Sequence, residues 1–223
     1  MTFTLIELTL TVAILATLIN LPLALAVSWY LARRHAPGRF LIEVLVSLPL
    51  ALPPVSIGFF LLLLLGREGL IGAVLVKLFA VDVVFTWIAA TIAAAVVSFP
   101  LMARAVMVAM AGVDRRLEMA ARSLGASRWR VLVTITLPLA YRGILAGMLL
   151  GFVRALSEFG ATIVVAGNIE GKTQTLPLAI YTSVMLRDDN QALILIVVSI
   201  ILAAVTLAVH NWLLTRDAVE KSL

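Results

Sequence analysis

The chain has 223 residues, 63% of them hydrophobic and 13% charged, with a formal net charge of +5. Its mean hydropathy of +1.14 is more apolar surface than a soluble domain of this length can hide, which excludes a globular enzyme on a single anchor. The basic excess sits in short connections between apolar segments, so it is not the signature of a nucleic-acid partner. There is no cysteine, hence no disulfide framework and no thiolate metal site. His35 and His210 have no ligand partners at metal spacing, and no cofactor is implied.

Five apolar segments follow one another: Leu8–Leu31, Leu41–Leu65, Val84–Val108, Pro138–Ala166 and Ala192–Leu214. At about 1.5 Å per residue each can cross a hydrocarbon core of roughly 30 Å. The first lacks a basic flank and a small-residue cleavage site, and is read as a retained span. The expected fold class is therefore an all-α polytopic membrane protein with about five transmembrane helices, forming one domain over residues 1–223.

The connections orient the spans. The first carries Arg33, Arg34 and Arg39 without an acid, and the second balances Arg67 and Lys77 against Glu68 and Asp82. The third sets Arg104, Arg115, Arg116, Arg122, Arg128 and Arg130 against Asp114 and Glu118, and the fourth holds Glu170, Lys172, Arg187, Asp188 and Asp189. Basic and non-basic connections alternate, as the positive-inside rule requires of consecutive spans. The reading places connections one and three in the cytoplasm, the N-terminus outside and the C-terminus inside.

Breakers mark the second segment, in Ser47-Leu-Pro-Leu-Ala-Leu-Pro-Pro-Val-Ser-Ile-Gly58. Each proline removes a backbone donor and clashes one turn back. Broken backbone at membrane depth needs cover from protein or a water-filled cavity, so either a packed kink or a pore-side bend is expected. Pro100 reads as a plain kink in the third span.

Asp114 to Leu124 suits a short cytoplasmic helix. Asp114 can cap its start, Leu117, Ala120, Ala121 and Leu124 recur at helical spacing, and Glu118 and Arg122 are spaced for an i,i+4 pair. Gly125 supplies the left-handed residue that ends a helix. A basic amphipathic helix can lie on anionic membrane lipid, but this apolar face is narrow and alanine-rich, which fits docking against a protein groove better.

The fourth segment carries Arg154 and Glu158, four residues apart and able to neutralise each other. Intramembrane charges usually face a bundle interior or a cavity. One expectation is a structural ion pair; the other is that Glu158, with Ser157, Phe159 and Gly160, borders a translocation path. Gly143, Gly147, Gly151 and Gly160 leave a small-residue surface for close helix packing.

Ala120-Ala121-x-x-x-Gly125, followed by Ile135-x-Leu137-Pro138, resembles the cytoplasmic EAA loop of bacterial ABC importer permeases. In that family the glutamate directly precedes the two alanines; here that position is Met119 and the acid is Glu118. Three more stretches, Leu48–Val55, Gly66–Gly72 and Arg154–Thr162, are similar to the molybdate branch, with tungstate and sulfate permeases as close relatives. The resemblance implies a type I ABC importer permease fold and a homodimer. It also implies two ABC ATPase subunits, and a periplasmic or extracellular molybdate-binding protein, in a bacterial inner membrane. It makes Asp114, Glu118, Ala120, Ala121, Gly125 and Arg128 the residues that couple to the ATPase, with the helix at about 114–125 as the coupling element. The chain itself has no phosphate-binding loop and no nucleophile–base set, so it is expected to be non-catalytic. A secondary transporter is the rival from another class, but five spans do not divide into equal repeats and buried ionisable groups amount to one pair. A small channel lacks a filter loop or charged ring.

Overall fold

The computed structural model describes residues 2–31 and 37–220, with side chains of 4–31 and 37–213. The basic residues Arg33, Arg34 and His35 of the first connection lie outside the described residues. The described elements are all helical. They are α1 (Thr2–Leu31), α2 (Arg39–Ala51), α3 (Pro54–Leu65), α4 (Gly72–Phe79), α5 (Trp87–Ala111) and α6 (Arg115–Ser123). There follow α7 (Arg128–Val131), a π-helical turn (Leu132–Thr136), α8 (Leu137–Leu156), α9 (Gly160–Val165), α10 (Leu176–Met185) and α11 (Asp189–Glu220).

Among the described residues, four helices are long and apolar enough to cross a bilayer: Thr4–Leu31, Trp87–Ala111, Arg128–Leu156 and Asp189–Leu213. The α2–α3 pair bends by 111° at Leu52-Pro53, because Pro53 and Pro54 cannot continue the ladder and Pro54 instead opens α3. Pro49 and Pro100 stay inside α2 and α5.

Contacts fix the direction of each helix. Asn20 of α1 donates to the Ala95 carbonyl at 2.9 Å and to Ser98 Oγ at 3.0 Å, and Ser28 donates to the Ala103 carbonyl at 3.3 Å, so α1 and α5 run parallel. Val46 of α2 packs with Met102, Val106 and Met110, near the end of α5. Ile57, Leu61 and Leu65 of α3 pack with Ala89, Ala90 and Ala93, near its start. The bent pair therefore travels the length of α5 in the opposite sense and counts as a fifth crossing. A Cβ on Gly143, Gly147 or Gly151 of α8 would meet Ala109, Ala105 or Met102 in that order, so α8 is antiparallel to α5, and the expected small-residue surface is its contact. In α11, Leu202 packs near the start of α1 and α5. His210 Nδ1 lies 3.0 Å from the Ala146 carbonyl, which sets α11 parallel to α1. Among the described residues three crossings run one way and two the other, so the start of α1 and the end of α11 lie on opposite faces.

The structure corrects the fourth segment. It was expected over Pro138–Ala166, but the crossing starts at Arg128 and its helix stops at Leu156. Ser157-Glu158-Phe159 then breaks the chain, and α9 is a separate short helix. The fourth connection is likewise longer than expected. It contains α10, an apolar helix too short to cross, which packs Leu176 and Ala179 against Leu195 and is anchored by the Leu176 N–H donating to Thr9 Oγ1 at 2.8 Å. Arg104, counted with the third connection, stands inside α5.

Candidate functional site

The third connection folds as a self-contained peg at the basic end of the bundle. Asp114 caps α6 by accepting from the Arg116 N–H at 2.8 Å, an anion placed on the exposed donors of a helix start. At the other end Gly125 adopts φ 88°. The Ala126 N–H reaches the Ala121 carbonyl and the Gly125 N–H the Arg122 carbonyl, each at 3.0 Å, which is a Schellman closure. Both caps stand where the sequence places them. No residue of α6 is buried. Ala120 is exposed and Ala121 half-buried, while Leu117 is 48% and Leu124 89% exposed. A helix finished at both ends thus presents an apolar stripe outward, with Arg115, Arg116, Arg122 and, beyond it, Arg128 around it. Arg128 opens α7, whose start is capped by Ser127 Oγ accepting from the Arg130 N–H at 3.3 Å.

Glu118 does not form the expected pair with Arg122. Its carboxylate turns inward and accepts from Thr136 Oγ1 at 2.6 Å. Thr136 is 5% exposed and closes the π-helical turn. The turn follows from local chemistry: Pro138 has no N–H and cannot answer a carbonyl one turn back, and Thr134 Oγ1 already bonds the Arg130 carbonyl at 2.7 Å. Such turns inside a helix are frequent at functional positions. One further contact steadies this end: Trp29, near the end of α1, meets Trp129 edge to face with ring centroids 5.9 Å apart.

The second cluster lies at the break after α8. Arg154 Nη1 and Glu158 Oε2 are 2.9 Å apart, with side-chain exposures of 28% and 2%. The other Glu158 oxygen accepts from the Ala161 N–H at 2.8 Å, so one carboxylate neutralises the arginine and caps the start of α9. The pair sits at the end of α8, not in the middle of a continuous helix. Ser157 is exposed and its hydroxyl donates to the Arg154 carbonyl at 3.2 Å. Phe159 packs on Tyr181 of α10 with ring centroids 5.2 Å apart.

The two breaks interlock. A Cβ on Gly160 would lie 2.9 Å from Pro54 Cβ, and one on Gly58 would lie 2.6 Å from the Ala161 carbonyl oxygen. The start of α9 therefore rests on the start of α3, and the proline break is a packed elbow. The buried, doubly bonded Glu158 has the geometry of the structural ion pair.

Sequence reasoning missed the π-helical turn, α10 and the setting of Arg104. The first was signalled by Thr134, Thr136 and Pro138 together, and the second by Pro177, a proline of the kind that opens a helix.

Comparison with known proteins agrees with this arrangement. "Molybdenum transport system permease protein ModB" of Haemophilus influenzae is 47% identical over 212 residues, covering 95% of this chain and 93% of that protein. Among solved structures, the inward-facing MetNI methionine ABC transporter superposes with a TM-score of 0.74 at 15% identity, over 95% of this chain and 93% of that one. A bacterial alginate ABC transporter in complex with an alginate-bound periplasmic protein gives 0.69 at 18% identity, over 95% and 76%. These structures establish the fold as that of a type I ABC importer permease. Residues 20–216 match the family of binding-protein-dependent transport system inner membrane components, and the chain belongs to that family.

Proposed function

We propose that this chain is the membrane-spanning, non-catalytic permease subunit of an ATP-driven importer of molybdate. The observation that carries the reading is the 47% identity to a molybdenum transport permease along nearly the whole of both chains. Residues 1–223 form one transmembrane domain, two copies enclose the path, and a periplasmic binding protein delivers the anion from the outer face. Two ATPase subunits engage α6 from the cytoplasm of a bacterial inner membrane.

The geometry gives this reading a mechanical route. A motor that grips the outward stripe of α6 moves a helix capped at both ends, which resists unwinding. Glu118 hands the displacement to Thr136 at the base of α8. Tight glycine contacts join α8 to α5, and the Arg154–Glu158 corner joins it to the interlocked α9 and α3. A push at the basic end therefore has a continuous packed path to the far half of the bundle. Asp114, Ala120, Ala121, Gly125 and Arg128 serve coupling in this scheme. Arg154, Glu158 and Gly160 hold the elbow, while exposed Ser157 is the residue of that corner open to the path.

The test is co-expression with a candidate ATPase and binding protein, purification of the complex and molybdate uptake into proteoliposomes. ATP-dependent uptake that requires all three components is the expected result. A permease that moves molybdate without an ATPase overturns the proposal in favour of a secondary transporter.

A further inference from the structure

The charge most out of place in this molecule is Arg104. It stands seven residues before the end of α5 at Ala111, about 10 Å inside the helix end at ~1.5 Å per residue. Its neighbours along the helix face are Leu101 and Val108, and Val108 is 73% exposed. The guanidinium itself is exposed, and Nη2 donates to Ser47 Oγ of α2 at 2.8 Å. Among the described residues no carboxylate pairs with it. Arg154, by contrast, has Glu158.

A guanidinium within a span is costly when it faces lipid, and such residues usually face a bundle interior or a water-filled cavity. The chain spends no acid on neutralising this one, and offers it a neutral hydroxyl. A serine orients the fork without consuming its charge, and leaves the remaining donors free for a tetrahedral oxyanion. A fixed, neutralised ion pair would be a poor acceptor of an anion, because its charge is already spent.

We infer that Arg104, positioned by Ser47, is a transient oxyanion-binding site on the cytoplasmic half of the translocation path. The site takes the transported tetrahedral anion, and in a two-copy assembly it is present twice. The inference rests on the importer reading and adds to it a residue that acts on the substrate. A single guanidinium holds an anion weakly, which suits a station that must release toward the cytoplasm.

The test uses the complete reconstituted complex. Arg104→Gln is expected to lower molybdate uptake about tenfold or more while ATP hydrolysis stimulated by the loaded binding protein persists, and Arg104→Lys to stay within about threefold of wild type. Ser47→Ala should fall between them. The chain has no cysteine, so Arg104→Cys carries one thiol. Modification with an aminoethyl thiosulfonate, which restores an ammonium, should recover uptake, and a neutral methyl thiosulfonate should not. Prior molybdate should slow the modification. If the arginine instead pins a lipid phosphate, Arg104→Gln transports at the wild-type rate and the thiol resists aqueous reagents; either result overturns the inference. The wild-type complex is assayed first with molybdate, tungstate and sulfate. Failure to move any of them overturns the importer reading together with this site, whereas normal wild-type transport with an unaffected Arg104→Gln overturns the site alone.

Discussion

Glu118 and Thr136, eighteen residues apart, are joined by a 2.6 Å hydrogen bond between a carboxylate on an exposed helix and a hydroxyl inside a π-helical turn. It ties α6 to the crossing that follows it, and it gives the acid a use that its spacing to Arg122 does not disclose. Thr136→Val and Glu118→Ala are each expected to slow ATP-driven uptake several-fold. The double variant should be no worse than the more severe single one, with a coupling free energy of about 1 kcal/mol. A double-mutant cycle on uptake rates checks this, and strict additivity would show that the bond carries no displacement.

Gly125 tests the rigidity of the peg. Its φ of 88° has open space around the missing Cβ, so a substitution there suffers from backbone strain alone. Gly125→Val should cost about 1–2 kcal/mol of local helix closure and reduce uptake, while Gly125→Asn, which tolerates the left-handed region, should retain most of it. Ala121→Asp should uncouple by placing a charge beside the docking stripe. Full uptake by Ala121→Asp, with the ATPase still co-purifying, would remove α6 from the coupling scheme.

Glu158→Ala leaves Arg154 without its partner and the Ala161 N–H without its acceptor. Arg154 keeps 28% exposure, so solvent softens the loss, and a cost of about 2 kcal/mol is expected. Thermal unfolding in detergent should show the drop. Glu158→Gln retains an acceptor for α9 and should lose less. An unchanged unfolding midpoint in Glu158→Ala, together with abolished transport, would assign the carboxylate to the path instead of the elbow.

Gly58 and Gly112 make a matched pair. A methyl on Gly58 would strike the Ala161 carbonyl oxygen at 2.6 Å and Ala161 Cα at 2.9 Å, whereas one on Gly112 would meet its nearest atoms at an ordinary 3.5 Å. Gly58→Ala should therefore destabilise by about 1–3 kcal/mol, and Gly112→Ala should be close to neutral in the same melting assay.

Helix directions put the start of α1 and the end of α11 on opposite faces, and the proposed import scheme places α6 in the cytoplasm, in keeping with the basic residues of the third connection. An epitope tag at the N-terminus should be reached by antibody in intact spheroplasts, and a C-terminal tag only after permeabilisation. The reverse result would place α6 outside and defeat the import scheme.

Much of this was legible in the sequence, for identifiable reasons. Long apolar runs announce crossings, and Asp114 and Gly125 announce the ends of α6 because capping is decided within a few residues. The break at Ser157–Phe159 is not legible, since the apolar pattern resumes after Glu158 and runs on to Ala166, while the backbone turns to seat Gly160 on Pro54. Glu118 was assigned to Arg122 by spacing, but the deciding partner, Thr136, comes from beyond the turn and is visible only in three dimensions. Arg104 reads as a loop arginine because a charge near a span end looks interfacial, whereas the helix runs past it to Ala111.

The meeting of Pro54 with Gly160 also bears on biogenesis. More than a hundred residues separate them in the chain, so the first elbow leaves the ribosome long before the segment that clasps it. Until then the elbow has only its contacts with α5, and its packing is completed when α9 follows the fourth crossing out of the ribosome.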